Sequence, residues 1–185
     1  MSLLIKNGRI ITADADYVAD LFIDGEIIHT IGKNLPVNAD EIIDATGKLV
    51  FPGGIDPHVH LDMPFMGTFS SDNYETGTRA ALFGGTTMVI DFILQKQGNS
   101  LHAALEEWQG RSNGNCIGDY SFHMAVTDFN ENTKKEIKDF IEKEGISSFK
   151  TFMAYKGALM IDDRQMMGLM EEAFRLPLVP IQEQS

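Results

Sequence analysis

Hydrophobic and polar positions along this chain change their rhythm once, near Leu49. Before that point, short apolar runs alternate with turn dipeptides. Leu3-Leu4-Ile5 and Arg9-Ile10-Ile11-Thr12 flank Asn7-Gly8, while Leu21-Phe22-Ile23 and Ile27-Ile28 flank Asp24-Gly25. Both dipeptides tolerate the positive φ that a tight hairpin turn demands, so each predicts a hairpin. Glu41-Ile42-Ile43-Asp44 and Lys48-Leu49-Val50, around Thr46-Gly47, predict a third strand pair. Residues 1–48 read as a small β-sandwich-like module without a catalytic cluster of its own.

From Leu49 onward the pattern becomes strand, loop, helix, strand. Residues 49–55 read as one apolar strand interrupted by Pro52-Gly53-Gly54. Asp72, with Glu75 three residues later, predicts a capped helix start, and Gly84-Gly85 predicts its end. The β-branched run over 86–93 is what a strand buried on both faces requires. Helices are predicted over 101–109 and 133–144, and strands over 120–127 and 149–154. Asp162 caps a last helix whose apolar face is Met166, Met170, Ala173 and Phe174. Such alternation predicts right-handed βαβ units and a parallel sheet, an α/β fold. Residues 49–185 hold about four to five such parallel strands. The stretch Leu176-Pro177-Leu178-Val179-Pro180-Ile181 falls where the next strand should come, yet prolines are confined mostly to sheet edges.

Composition narrows the partners. Of 185 residues, 43% are hydrophobic and 23% charged, ordinary globular proportions. A net charge of -12 makes nucleic acid and anionic membrane surfaces poor partners. Cys116 is the single cysteine, which rules out an internal disulfide framework and suits a reducing compartment. The first residues lack a basic segment leading into a long apolar run, and no apolar stretch approaches the ~20 residues of a membrane helix. A cytoplasmic location is expected.

The chemistry concentrates in two segments. In Asp56-Pro57-His58-Val59-His60, residues two apart on a strand point to one side, so both imidazoles face one cavity. Neutral imidazoles are good ligands for zinc and similar ions. The pair follows an apolar strand, hence sits at its C-terminal end, the face where α/β barrels build active sites. The bland alternative is two polar residues in an ordinary loop. The second segment is Ser148-Phe149-Lys150-Thr151-Phe152-Met153-Ala154-Tyr155-Lys156-Gly157. An ammonium at Lys150 inside an apolar strand must lose its proton, find an anion or be modified, unless it lies at an edge or snorkels to water. Spacing alone leaves both readings of Lys150 open. His29 and His102 read as surface residues, and His123 as a satisfied core histidine.

Together these segments resemble the dihydropyrimidinase/D-hydantoinase family. The resemblance rests on the run from Asp56 to Phe65, on Asp72-Asn73-Tyr74-Glu75-Thr76-Gly77-Thr78, on Phe83-Gly84-Gly85-Thr86-Thr87 and on residues 147–172. It implies a (β/α)8 barrel of TIM type with a small β module, of which residues 49–185 would be an incomplete part with about four to five of the eight strands. His58 and His60 would bind the first of a pair of zinc ions. Lys150, carboxylated by CO2, would bridge both ions, and a hydroxide between them would attack a ring amide carbonyl. Tyr155 would donate a hydrogen bond to the developing oxyanion. The implied substrate is a small cyclic amide, a dihydropyrimidine or a 5-substituted hydantoin. Relatives that open dihydroorotate carry Arg at the position of Asp62, which argues against a carboxylated ring. The resemblance also implies a homo-oligomer, a tetramer in the family. It fails near Arg175, where the family's third histidine should follow, and no histidine lies beyond Tyr155. The alternative expectation is therefore a truncated, non-catalytic amidohydrolase-like protein that binds a metal weakly or associates with a partner.

Overall fold

A computed structural model describes residues 1–65 and 67–175. The chain divides into two compact units, Met1–Gly53 and Gly54–Ser185.

In the first unit, β1 (Ser2–Ile11) pairs antiparallel with β2 (Asp16–Asp24), which pairs antiparallel with β3 (Ile27–Gly32). The hairpin expected at Asp24-Gly25 is present, with Gly25 at φ +61. Asn7-Gly8 is different. Instead of reversing the chain, Asn7 sits at φ +60 in a register shift between Ile5 and Gly8, and β1 runs on beyond it. The same backbone freedom that makes a turn also makes a bulge, and partners elsewhere in the chain decide between them. Here the Asn7 N–H donates to the Asp20 carboxylate at 2.8 Å, which holds the bulge against β2. The expected third strand pair is also corrected. β4 (Glu41–Asp44) and β5 (Leu49–Val50) both pair in parallel with β1, one after the other, and not with each other. Leu49 and Val50 thus belong to this sheet, separate from the strand that follows Gly53.

The second unit is built on four parallel strands in the order β11-β10-β9-β6, namely β11 (Phe149–Lys150), β10 (Asp119–Ala125), β9 (Thr86–Leu94) and β6 (Gly54–Val59). Between β6 and β9 lie a two-stranded hairpin, β7 (Pro64–Phe65) and β8 (Thr68–Phe69), and helix α1 (Tyr74–Phe83). Helix α2 (Leu101–Ser112) connects β9 to β10, α3 (Glu131–Glu142) connects β10 to β11, and α4 (Asp163–Arg175) follows. This is a parallel half-barrel in the α/β class.

Local chemistry explains the element ends. Helix α1 starts one residue later than expected, because Asn73 accepts from the Thr76 N–H while the Thr76 hydroxyl accepts from the Asn73 N–H. Asp162 caps α4 as expected, its carboxylate accepting from the Gln165 N–H at 2.7 Å. The buried face of α4 differs from the expected one. Leu169 is 3% exposed, whereas Met170 and Phe174 are 59% and 92% exposed. Gly168 lies against the Phe129 ring and fixes which stripe turns inward. Strand β11 is shorter than the predicted 149–154, because the chain turns at Tyr155, whose carbonyl accepts from Ala158 and Leu159, both at 3.0 Å.

The core lies between the sheet and its helices. Val89, Ile93, Phe122 and Met124 pack with Trp108, Ile137 and Phe140. Among the described residues no helix is long and apolar enough to cross a membrane. Residues 176–181, where a further strand was expected, lie outside the described residues.

Candidate metal centre

Period two along the strands sorts the half-barrel into two faces. Val59, Val89, Ile93, Phe122 and Met124 point into the helix-covered core. The residues between them share the other face: His58 and His60 at the end of β6, Phe92 on β9, His123 on β10 and Lys150 on β11.

Phe92 is the hub. Its ring centroid lies 4.5 Å from that of His58, 5.2 Å from His60 and 4.8 Å from His123. The Lys150 ammonium sits 4.2 Å from the same ring centroid and 5.0 Å from that of Phe152. The two imidazoles of the His-x-His pair meet edge to face at 5.1 Å. His58, His60 and Lys150, named from the sequence, are thus brought together on one face at the C-terminal ends of their strands. A register shift between Asp56 and Val59 bulges β6 there, and bulges beside sites commonly re-aim a side chain.

Beside this cluster is a cavity of about 170 Å³ whose lining includes His60, Lys150, Tyr155, Phe65, Phe92 and Phe152. Tyr155 lies in the left-handed region at φ +63, unusual for a bulky residue, and is 56% exposed. Burial pushes the His60 pKa below its ordinary value, and the nearby Lys150 ammonium and His58 push the same way. A neutral imidazole is the form that ligates. Among the described residues Lys150 Nζ has no carboxylate within 4.0 Å, so this half-buried amine has only aromatic faces for company. The two imidazoles are of a donor type that fits a metal, although no group of three or more His, Cys, Asp or Glu converges among the described residues.

The segment after His60 is fastened from three directions. Leu61 N–H donates to Asp91 at 3.2 Å and Asp62 N–H donates to the Asp72 carbonyl at 2.8 Å. Arg111 donates to the Asp62 carbonyl at 2.8 Å and to Glu107 at 2.9 Å. Asp62, at φ +48, turns its carboxylate toward Arg111, 3.4 Å away. Gly77 permits this path, since a Cβ there would collide with the Leu61 side chain.

His123 is satisfied, but it lies half-buried on the open face and not in the core as expected. Its Nε2 lies 2.9 Å from the Pro57 carbonyl, which can only accept, so Nε2 carries the proton and Nδ1 accepts from Ser148. In the first unit the His29 ring is hydrogen-bonded to the Thr30 hydroxyl, and in the second His102 lies 3.9 Å from Asp139.

Sequence reasoning missed Asp91. It is 0% exposed, accepts from Tyr74 at 2.7 Å and lies 4.0 Å from His60 Nδ1. Burial raises the Asp91 pKa, opposed by hydrogen bonds from Tyr74, Phe92 and Leu61. Burial, then the charge of Asp91, push the Tyr74 phenol far up, so it remains a donor. The signal was a lone carboxylate within an apolar strand run. Cys116 is not a reactive thiol, since burial pushes it up to about 11.

Residues 49–180 match the model of the amidohydrolase family. The chain is 51% identical to a D-hydantoinase of Geobacillus stearothermophilus over 163 residues, 88% of this chain and 35% of the relative. It is 44% identical to a dihydropyrimidinase of Rattus norvegicus over 169 residues, 89% and 33% of the two chains. A crystal structure of dihydropyrimidinase from Brevibacillus agri superimposes with a TM-score of 0.92 at 48% identity, covering 95% of this chain and 38% of that one. The chain spans about a third of the length of the curated relatives it matches.

Proposed function

This chain belongs to the amidohydrolase family, and from that premise we propose that it carries part of the metal centre of an enzyme that hydrolyses a cyclic amide, a dihydropyrimidine or a 5-substituted hydantoin. The observation that carries this reading is the gathering of His58, His60 and Lys150 around Phe92 on one face of the parallel strands.

His58 and His60, as neutral imidazoles, would hold one ion of a zinc pair. Lys150 would lose its ammonium proton, and the free amine would add to CO2 with loss of a second proton, leaving an anionic carbamate oxygen donor beside that ion. Bound zinc would supply Lewis-acid polarisation of the amide and an activated water. Tyr155 would donate its hydroxyl to the amide oxygen as charge develops there. The aromatic walls, Phe65, Phe92 and Phe152, would stack a small flat ring and exclude water. Lys150 is the only cationic side chain lining the cavity among the described residues, and Asp62 is held by Arg111. Both features suit a ring without a carboxylate.

A second reading has one observation in its favour. Among the described residues this face offers two imidazoles and one amine besides His123, whose ring nitrogens are already hydrogen-bonded, fewer donors than a zinc pair needs. On that reading the chain binds metal weakly and catalyses nothing. A substrate panel separates the two. Zinc-supplemented protein should open dihydrouracil or a 5-substituted hydantoin, release acid, and leave dihydroorotate intact. Activity on none of the three, or on dihydroorotate alone, would overturn the first reading.

A further inference from the structure

We propose that Asp91, seated on the Tyr74 hydroxyl, is a positioning residue that orients the His60 ring for metal binding. The inference rests on the reading of His60 as a ligand, and deepens it.

Asp91 is the exception to the two-face rule. It projects from β9 into the helix-covered side, where its neighbours Val89 and Ile93 are packed core. A carboxylate there is costly unless its oxygens are occupied. Oδ2 accepts from the Tyr74 hydroxyl at 2.7 Å and from the Leu61 N–H at 3.2 Å, and Oδ1 accepts from the Phe92 N–H at 2.6 Å. These bonds fix the carboxylate from three sides. Two of the donors flank the site itself, because Leu61 follows His60 and Phe92 is the ring on which both histidines rest.

What the bonds do not supply is a cation. Among the described residues the only cationic or potentially cationic nitrogen within 4.0 Å of Asp91 is His60 Nδ1, at 4.0 Å from Oδ1. That separation is a Coulombic contact and not a hydrogen bond. It still gives the ring a direction. A proton on Nδ1 faces a negative oxygen, whereas a lone pair on Nδ1 would be repelled by it. The Nδ1–H tautomer is therefore favoured, and the lone pair falls on Nε2. His60 lines the cavity, so that lone pair becomes the donor available to an ion there. A histidine ligand whose other nitrogen is held by a carboxylate is a better base and keeps its orientation. Tyr74, fully buried, keeps Asp91 from swinging away.

Two measurements decide the matter. In zinc titrations of the metal-free protein at pH 8, Asp91→Asn keeps the shape and an acceptor oxygen but loses the charge. It should bind about tenfold to a hundredfold more weakly than wild type. The same substitution in a His60→Ala background should change affinity no further, because a positioning residue acts only through what it positions. Equal affinities for wild type and Asp91→Asn, or an undiminished loss in the His60→Ala background, would overturn the proposal. The second measurement needs neither a variant nor a metal. The ¹⁵N shifts of His60 in the metal-free wild type should report the Nδ1–H tautomer, and an Nε2–H tautomer would overturn the proposal even if Asp91→Asn fails to fold. Failure of the wild type to bind zinc would instead overturn the metal reading, and the tautomer would still test the hold of Asp91 on His60.

Discussion

The two faces of the half-barrel sheet come from the same strands and differ in almost everything else. On the helix-covered face Ile93, Met124, Ile137 and Phe140 are 0% exposed and touch one another. On the open face His60 keeps 37% of its side-chain surface, and Lys150 has no anionic partner within 4.0 Å among the described residues. One face is a packed apolar core interrupted by Asp91. The other sets imidazoles and an amine beside aromatic rings. Alternation by one residue is enough to separate them, and it teaches where stability and chemistry are encoded. Asp91 is the one residue that serves the open face from the covered one.

Substitutions should break this comparison unequally. The largest effect on folding is expected from Trp108→Ala, where a side chain 1% exposed is replaced by a void. Loss of about 3–5 kcal/mol should appear as a lower midpoint in urea denaturation. Gln95 is next. Its side-chain oxygen accepts from Thr127 and Asp128 at 3.0 and 3.1 Å, and its amide donates to the Asn99 and Asp128 carbonyls at 2.7 and 3.2 Å. Gln95→Leu leaves the buried Thr127 N–H and the partly buried groups beside it unpaired just beyond β9 and β10, and should cost about 1–3 kcal/mol in the same assay. Gly77→Ala should cost about 1–3 kcal/mol by forcing Leu61 aside, and should also weaken zinc binding, since Leu61 adjoins His60.

How much of this could be read from the sequence depends on whether the cause was local. The βα alternation and the His-x-His pair were legible because periods of 3.6 and 2 are written in neighbouring residues. The fold class follows from that, and so does the sharing of one face by His58 and His60. Asn7-Gly8 was misread because its dipeptide suits a turn and a bulge equally, and the deciding group, Asp20, lies thirteen residues away. The parallel pairing of β4 and β5 with β1 has no local signature at all. The face of α4 was displaced because a contact between Gly168 and Phe129, and not hydropathy, sets its rotation. Asp91 passed unnoticed within an apolar run, although a carboxylate there needs donors that the sequence does not place next to it.

The smaller effects sharpen the contrast. His58→Ala should shift unfolding by about 0.5 kcal/mol, since the residue is exposed and its ring contacts are confined to the open face, while zinc uptake falls. Asp20, in the first unit, gives a pH signature. Backbone N–H donors, Asn7 first, hold its carboxyl below the ordinary range despite burial. A depressed folded pKa means stability that is present above the unfolded value of about 3.9 and lost as pH falls through the folded value. Asp20→Asn should therefore flatten the acid limb of a stability–pH curve below about pH 4, and an unchanged limb would contradict the assignment.

The central claim, that His58, His60 and Lys150 share a bound ion, is tested most directly by an anomalous-difference map from crystals of zinc-loaded protein. The account expects a peak about 2.0–2.1 Å from one ring nitrogen each of His58 and His60, with density extending from Lys150 toward it. A peak elsewhere on the chain, or two rings with no peak between them at saturating zinc, would contradict it.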